Sequence, residues 1–171
     1  MMIKMERVTV KETGLNFGGI ALIDRLATDL IVVHHTGNEN GVDTDPSAAE
    51  IHQWHKNMGY SGIGYHYVIR KDGTIERGRA EWAQGAHAYG ENWRSIGIHL
   101  SGTFTGNNHP TDAQIESAAM LIANICADYR IAVNRKNIVG HGELMATDCP
   151  GKNLQSRLDE IVGKANWYRY R

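Results

Sequence analysis

Cysteine is scarce: two residues in a chain of 171. That number cannot build a disulfide framework, so a stapled secreted scaffold is excluded. A surplus of positive charge is also missing. Eighteen Lys and Arg stand against 19 Asp and Glu, for a net charge of −1. Broad binding to nucleic acid by phosphate neutralisation is therefore not expected. No apolar run approaches the length of a membrane span, so membrane insertion is not expected either. The first residues, MMIKMERVTVKETG, hold no apolar stretch of the kind a secretory signal needs. The expectation is synthesis in the cytoplasm. Internal repeats and low-complexity tracts are absent too.

What is present has the balance of a globular domain. Hydrophobic residues make up 42% and charged residues 22%. A chain of this size buries roughly 70% of its unfolded surface and needs no staples. One domain is expected, and a monomer. The compositional excess is in histidine, with nine residues.

Residues 1–27 read as an N-terminal arm, broken at Gly18-Gly19 and packed on the domain through Leu15, Phe17, Ile20 and Leu22. Residues 28–171 read as the main domain. Leu30-Ile31-Val32-Val33 reads as a buried strand ending at His34-His35-Thr36-Gly37. A helix follows, capped by Thr44 or Asp45 with Pro46 in its first position. Its apolar face would be Ile51, Trp54, His55 and Met58. Gly64 to Arg70 reads as a second strand, turned at Asp72-Gly73 into Thr74 to Arg77. A loop spans Glu81 to Asn92, and Ile96 to Leu100 gives a third main strand. Thr111 and Gln114 form a capping-box pattern for a long helix reaching about Arg130. Ile138-Val139 is a short strand, and Asn153 can cap a last helix with Leu154, Leu158, Ile161 and Ala165 inward. Strands mixed with helices predict an α/β fold, a central mixed sheet flanked by helices.

The chemistry concentrates at two places. His141 and Cys149 are separated by seven residues, most of them turn-prone or small. Such a loop can present both side chains to one metal ion. Zinc takes imidazole nitrogen and thiolate, and a catalytic zinc keeps three protein ligands and one open position. A third ligand could come from the strand end. His34 and His35 are adjacent, so their side chains point to opposite faces and only one can reach a shared ion. Spacing does not choose between them. The other histidines read as structural first: His52 and His55 on the first helix, His66 and His99 in strands, His109 in a surface loop. His87 is open between a surface position and a substrate groove. Cys126 lies on an apolar helical stripe, where a buried thiol is the plain reading.

Several segments then fall in a familiar order. They are Ile31-Val32-Val33-His34-His35-Thr36, Ile51-His52-Gln53-Trp54-His55, Gly64-Tyr65-His66-Tyr67-Val68-Ile69 and the stretch Asp72 to Arg79. Gly85-Ala86-His87-Ala88, Asn92, Ser95-Ile96-Gly97-Ile98, Gly140-His141 and Thr147-Asp148-Cys149-Pro150-Gly151 follow. From about residue 28 to about residue 160 the chain resembles the type 2 N-acetylmuramoyl-L-alanine amidases. That family includes phage amidase-type lysozymes and peptidoglycan recognition proteins. The resemblance implies a zinc hydrolase acting on peptidoglycan, at the amide between N-acetylmuramic acid and L-Ala of the stem peptide. It implies His34, His141 and Cys149 as zinc ligands. Tyr65 and Thr147 become the catalytic candidates, and His87 and Asn92 line the groove for the substrate. Thr147 stands where some phage enzymes carry Lys, so it donates a hydrogen bond but no charge.

Two neutral imidazoles and one thiolate leave a zinc site with net charge about +1, still a Lewis acid. Tyr65 would hydrogen-bond the attacking water or the developing oxyanion, and Thr147 would help hold that oxyanion. Glu143 is a candidate to steady the imidazoles from behind. A phage or prophage endolysin, reaching the wall after release, is the expected biology. The alternatives are a non-hydrolytic peptidoglycan-binding module, a cysteine hydrolase built on Cys149, and a cytosolic muropeptide-recycling amidase. The C-terminal run Trp167-Tyr168-Arg169-Tyr170-Arg171 reads as a packed or disordered terminus in preference to a wall contact.

Overall fold

A computed structural model describes residues 4–18 and 21–171. The expected contact through Ile20 and the break at Gly19 lie outside the described residues. The elements are β1 (Val10–Lys11), β2 (Leu30–His35), α1 (Ala48–Asn57), β3 (Tyr67–Ile69), β4 (Ile75–Arg77) and β5 (Ser95–Leu100). They continue with α2 (Asp112–Tyr129), β6 (Ile138–Gly140), α3 (Lys152–Gln155) and α4 (Leu158–Tyr170). The strands form one six-stranded sheet in the order β1-β4-β3-β5-β2-β6. Among the named strands of the described residues, only the β3–β4 hairpin pair is antiparallel; the other neighbours are parallel. The α/β fold with a mixed sheet flanked by helices is what is found. No helix among the described residues is long and apolar enough to cross a membrane.

The two faces of the sheet separate by strand period. Ile31 and Val33 of β2 and Ile96, Ile98 and Leu100 of β5 pack with residues of α2 and α4 into the main core. Leu30 and Val32 point the other way, against Ala88 and Val139. That alternation carries His34 to the face opposite α2 and α4, and His35 to the main core beside Phe104, with ring centroids 6.1 Å apart. The N-terminal segment adds Met5, Val8 and Val10 to the rim of the main core. Leu15 and Phe17 pack on the smaller cluster under α1.

The long helix begins where its capping box places it, with Thr111 Oγ1 accepting from the Gln114 N–H. α1 begins later than expected. Its N-cap is Ser47, in a capping box with Glu50. Asp45 is drawn away, because its carboxylate accepts from Arg70 Nε at 3.1 Å and from the Lys71 backbone N–H. Its inward stripe is Ala48, Ile51, His52 and the half-buried His55, while Trp54 and Met58 are exposed. His52 turns inward because both ring nitrogens find partners there. Nδ1 accepts from the Ile63 N–H and Nε2 donates to the Asn16 carbonyl.

The last helix is divided in two. Gly151 caps α3 in place of Asn153, whose side chain instead donates to the carbonyls of Gly106 and Asn108. Leu154, Leu158, Ile161 and Ala165 are all buried. The C-terminal run is helical through Tyr170. Arg171 lies over the Trp167 ring and reaches Glu6 at 3.0 Å.

Candidate metal centre

Three side chains converge at the carboxyl end of the central parallel strands. His34 is the fifth residue of β2. His141 opens a single 3-10 turn, His141–Glu143, directly after β6. Cys149 comes from the loop before α3. One ligand atom from each lies within 4.8 Å of the others. His34 Nδ1 is 3.5 Å from Cys149 Sγ. Zn–N and Zn–S bonds of about 2.0 and 2.3 Å at a tetrahedral angle place such atoms roughly 3.5 Å apart. His141 Nε2 is buried and, among the described residues, has no hydrogen-bond partner. A buried nitrogen without a partner costs free energy unless something binds it. A zinc ion fits this donor set.

The backbone holds the loop in place. The Gly142 N–H donates to the Cys149 carbonyl at 2.8 Å, and the His35 N–H donates to Cys149 Sγ at 3.5 Å. Gly151 has φ 87°, and a Cβ there would meet the Phe104 carbonyl at 2.6 Å and His35 Nδ1 at 2.8 Å. Only glycine combines that backbone conformation with that approach. Glu143 does not touch an imidazole. Its Oε2 accepts from the Gly140 N–H at 2.7 Å and from Gln155 at 3.0 Å, fastening the residue before His141.

The electrostatics favour neutral imidazoles. Burial holds His34 well below the usual histidine range, reinforced by the neighbouring imidazoles of His87 and His141. Burial also lowers His141 and pulls His35 down to about 4. Neutral imidazole is the metal-binding form. Burial pushes the Cys149 thiol up to about 12, against the smaller pull of the His35 N–H. Burial of this kind disfavours the free thiolate that a cysteine nucleophile needs. A dication is what would ionise the thiol.

Tyr65 packs its ring on His34 at 4.9 Å and on His99 at 4.8 Å between centroids. Burial, with the nearby Cys149, raises its phenol, which stays protonated and able to donate. Thr147 is exposed at the rim, where its Oγ1 accepts from the Cys149 N–H at 3.3 Å. Thr147, Cys149, Gly142 and Gln155 line a cleft of about 400 Å³. A larger cavity of about 770 Å³ lies between the N-terminal segment and α2, near Leu15, Tyr67 and Tyr129. It shares no residue with the metal cluster.

Two expected groove residues face inward. His87 is buried beneath His34, with Nδ1 2.9 Å from His34 Nε2. Asn92 is partly buried, and its Oδ1 accepts from the backbone N–H of His87 and of Ala88, both at 2.9 Å. Ser95, not singled out from sequence, is fully buried beside His87. The signal for it was positional: Ser95 and Gly97 share one face of β5, and small residues there make room for a ring.

A family model described as N-acetylmuramoyl-L-alanine amidase matches residues 24–152. The chain belongs to the N-acetylmuramoyl-L-alanine amidase family. It is an enzyme of that class, with peptidoglycan as substrate or binding partner. The endolysin of Escherichia phage T7 is 38% identical over 137 residues, covering 77% of this chain and 85% of the phage protein. Peptidoglycan-recognition protein SC2 of Drosophila melanogaster is 33% identical over 141 residues, covering 80% and 73%. Among solved structures, the endolysin amidase LysCS from Clostridium intestinale superposes with a TM-score of 0.81 at 34% identity. That match covers 95% of the amidase described here and 99% of LysCS.

Proposed function

We propose that this amidase is zinc-dependent and hydrolyses the amide between N-acetylmuramic acid and L-Ala of the stem peptide. The observation that carries this reading is the convergence of His34, His141 and Cys149 within 4.8 Å. These three residues would hold the zinc ion. Bound there, zinc supplies Lewis acidity, polarising the scissile carbonyl and making water a better nucleophile near neutral pH.

The chain's own residues supply the rest. Tyr65, kept protonated by its surroundings, donates a hydrogen bond toward the oxyanion as it develops. Thr147 accepts from the Cys149 backbone through Oγ1. Its hydroxyl hydrogen is left to donate outward into the cleft. Residues 1–27 act as an arm of the same catalytic unit, a reading supported by the packing of Val8, Val10, Leu15 and Phe17. The similarity to phage endolysins supports a lytic role, with the enzyme made in the cytoplasm and reaching the wall after release.

The test is mass spectrometry of purified peptidoglycan digested with the protein, with and without a zinc chelator. Free stem peptides beginning at L-Ala, formed only without chelator, are expected. Uncut sacculi that retain the protein would replace the reading with a recognition module.

A further inference from the structure

His34 presents two ring nitrogens, and only one can bind a metal. Which one is free is decided by a chain of hydrogen bonds behind it. Ser95 Oγ donates its single hydrogen to the Glu91 carbonyl at 2.7 Å. Ser95 Oγ also lies 3.3 Å from His87 Nε2, and with its hydrogen committed it can only accept there. His87 is therefore protonated at Nε2 and bare at Nδ1. That bare Nδ1 faces His34 Nε2 at 2.9 Å, so His34 must donate. His34 is left bare at Nδ1, the nitrogen 3.5 Å from Cys149 Sγ.

The slot for His87 is built for this ring. A Cβ on Gly97 would stand 2.7 Å from His87 Cγ, and one on Gly85 would stand 2.6 Å from His87 Cδ2. The two rings meet nearly perpendicular, at 87°, which directs the edge of one at the other. Asn92 fixes the His87 backbone from the other side.

We propose that His87 is a positioning residue: by accepting from His34 Nε2, under the control of Ser95, it fixes the His34 tautomer and aims Nδ1 at the metal position. The inference rests on the metal reading above. Metal-bound histidines normally donate their second nitrogen to a carboxylate, carbonyl or water. Here a neutral imidazole takes that place, and its own tautomer is set one bond further back.

The experiment has two arms. Nitrogen-15 NMR of the imidazoles in the purified protein, zinc-free and zinc-loaded, reads the tautomers directly. His87 protonated at Nε2 is expected in both, with Ser95→Ala admitting the Nδ1–H form. His87 protonated at Nδ1 in the unaltered protein overturns the proposal. The second arm measures zinc affinity by chelator competition. His87→Leu fills the slot without an acceptor and should weaken zinc by about 10–100-fold. His87→Asn returns an acceptor near the Nδ1 position and should recover most of that loss. A folded His87→Leu protein with unaltered affinity overturns the proposal. If that variant does not fold, Ser95→Ala in both arms decides. An unaltered protein that takes up no zinc overturns the metal reading instead, and the tautomer arm still judges the chain.

Discussion

The backbone N–H of His35 points at the Sγ of Cys149 across 3.5 Å, joining residues 114 positions apart. The strand that carries His34 thus also holds the Cys149 sulfur, through the peptide group next door. The same β2 segment thus helps fix the position of the Cys149 sulfur.

Replacing that sulfur tests the centre. Cys149→Ser leaves a hydroxyl that does not ionise near neutral pH, so it cannot supply the anionic ligand. Zinc content by elemental analysis should drop and amide hydrolysis should fall to background. The circular dichroism spectrum should be kept, because Cys149 lies in a loop and outside the core clusters. Full hydrolysis by this variant would sink the zinc assignment.

Tyr65→Phe separates binding from chemistry. The ring contacts with His34 and His99 survive, so zinc is retained. Loss of the donor should lower kcat by roughly 10²-fold with little change in KM. Single-turnover release of stem peptides measures it; unchanged turnover removes Tyr65 from the mechanism.

Arg79 is buried and, among the described residues, has no carboxylate at its guanidinium. It donates to the carbonyls of Ile63 and Gln84 at 3.0 Å and, more weakly, to Ser61 and Gly62. It therefore staples the loop that leads into Tyr65. Arg79→Met leaves those carbonyls without a partner and should cost about 3 kcal/mol, read from urea midpoints. A loss under about 0.5 kcal/mol, the range of ordinary surface changes, would show that solvent replaces the staple.

Acid should weaken the fold through His66. Its Nε2 donates to the Ala83 carbonyl and its Nδ1 accepts from the Gly97 N–H, so the ring is neutral in the folded state. Burial depresses its folded pKa to about 3, below the unfolded value of 6.5. The unfolded chain therefore binds the proton first as pH falls. The contribution is full above about pH 6.5 and is lost toward pH 3, at about 1.4 kcal/mol per pH unit. Urea midpoints between pH 8 and pH 4 should slope less in His66→Gln. Equal slopes would assign the acid sensitivity to other groups.

Local signals carried much of this architecture. The Thr111–Gln114 capping box and the Leu30–Val33 run act over a few residues, and both elements form where they predict. The failures are tertiary. Ser47 caps α1 because Arg70, 25 positions from Asp45, takes the competing carboxylate. Trp54 is exposed because His52, satisfied on both nitrogens, holds the inward stripe. The choice between His34 and His35 needed knowledge of which sheet face the long helices cover, and strand period alone is symmetric. From sequence, His87 was open between a surface position and a substrate groove, and the structure buries it against His34. Its place behind His34 depends on Gly85 and Gly97 leaving a slot, and a missing Cβ has no pattern of its own.

The donor set is spread along the chain, with His34 early and His141 and Cys149 near the end. Ribosomes deliver those positions in that order. A nascent chain that stops short of Cys149 has neither that sulfur nor the complete loop that brings it to His34. A product that stops short of Cys149 therefore lacks part of the His34–His141–Cys149 cluster, however much of the sheet it has formed.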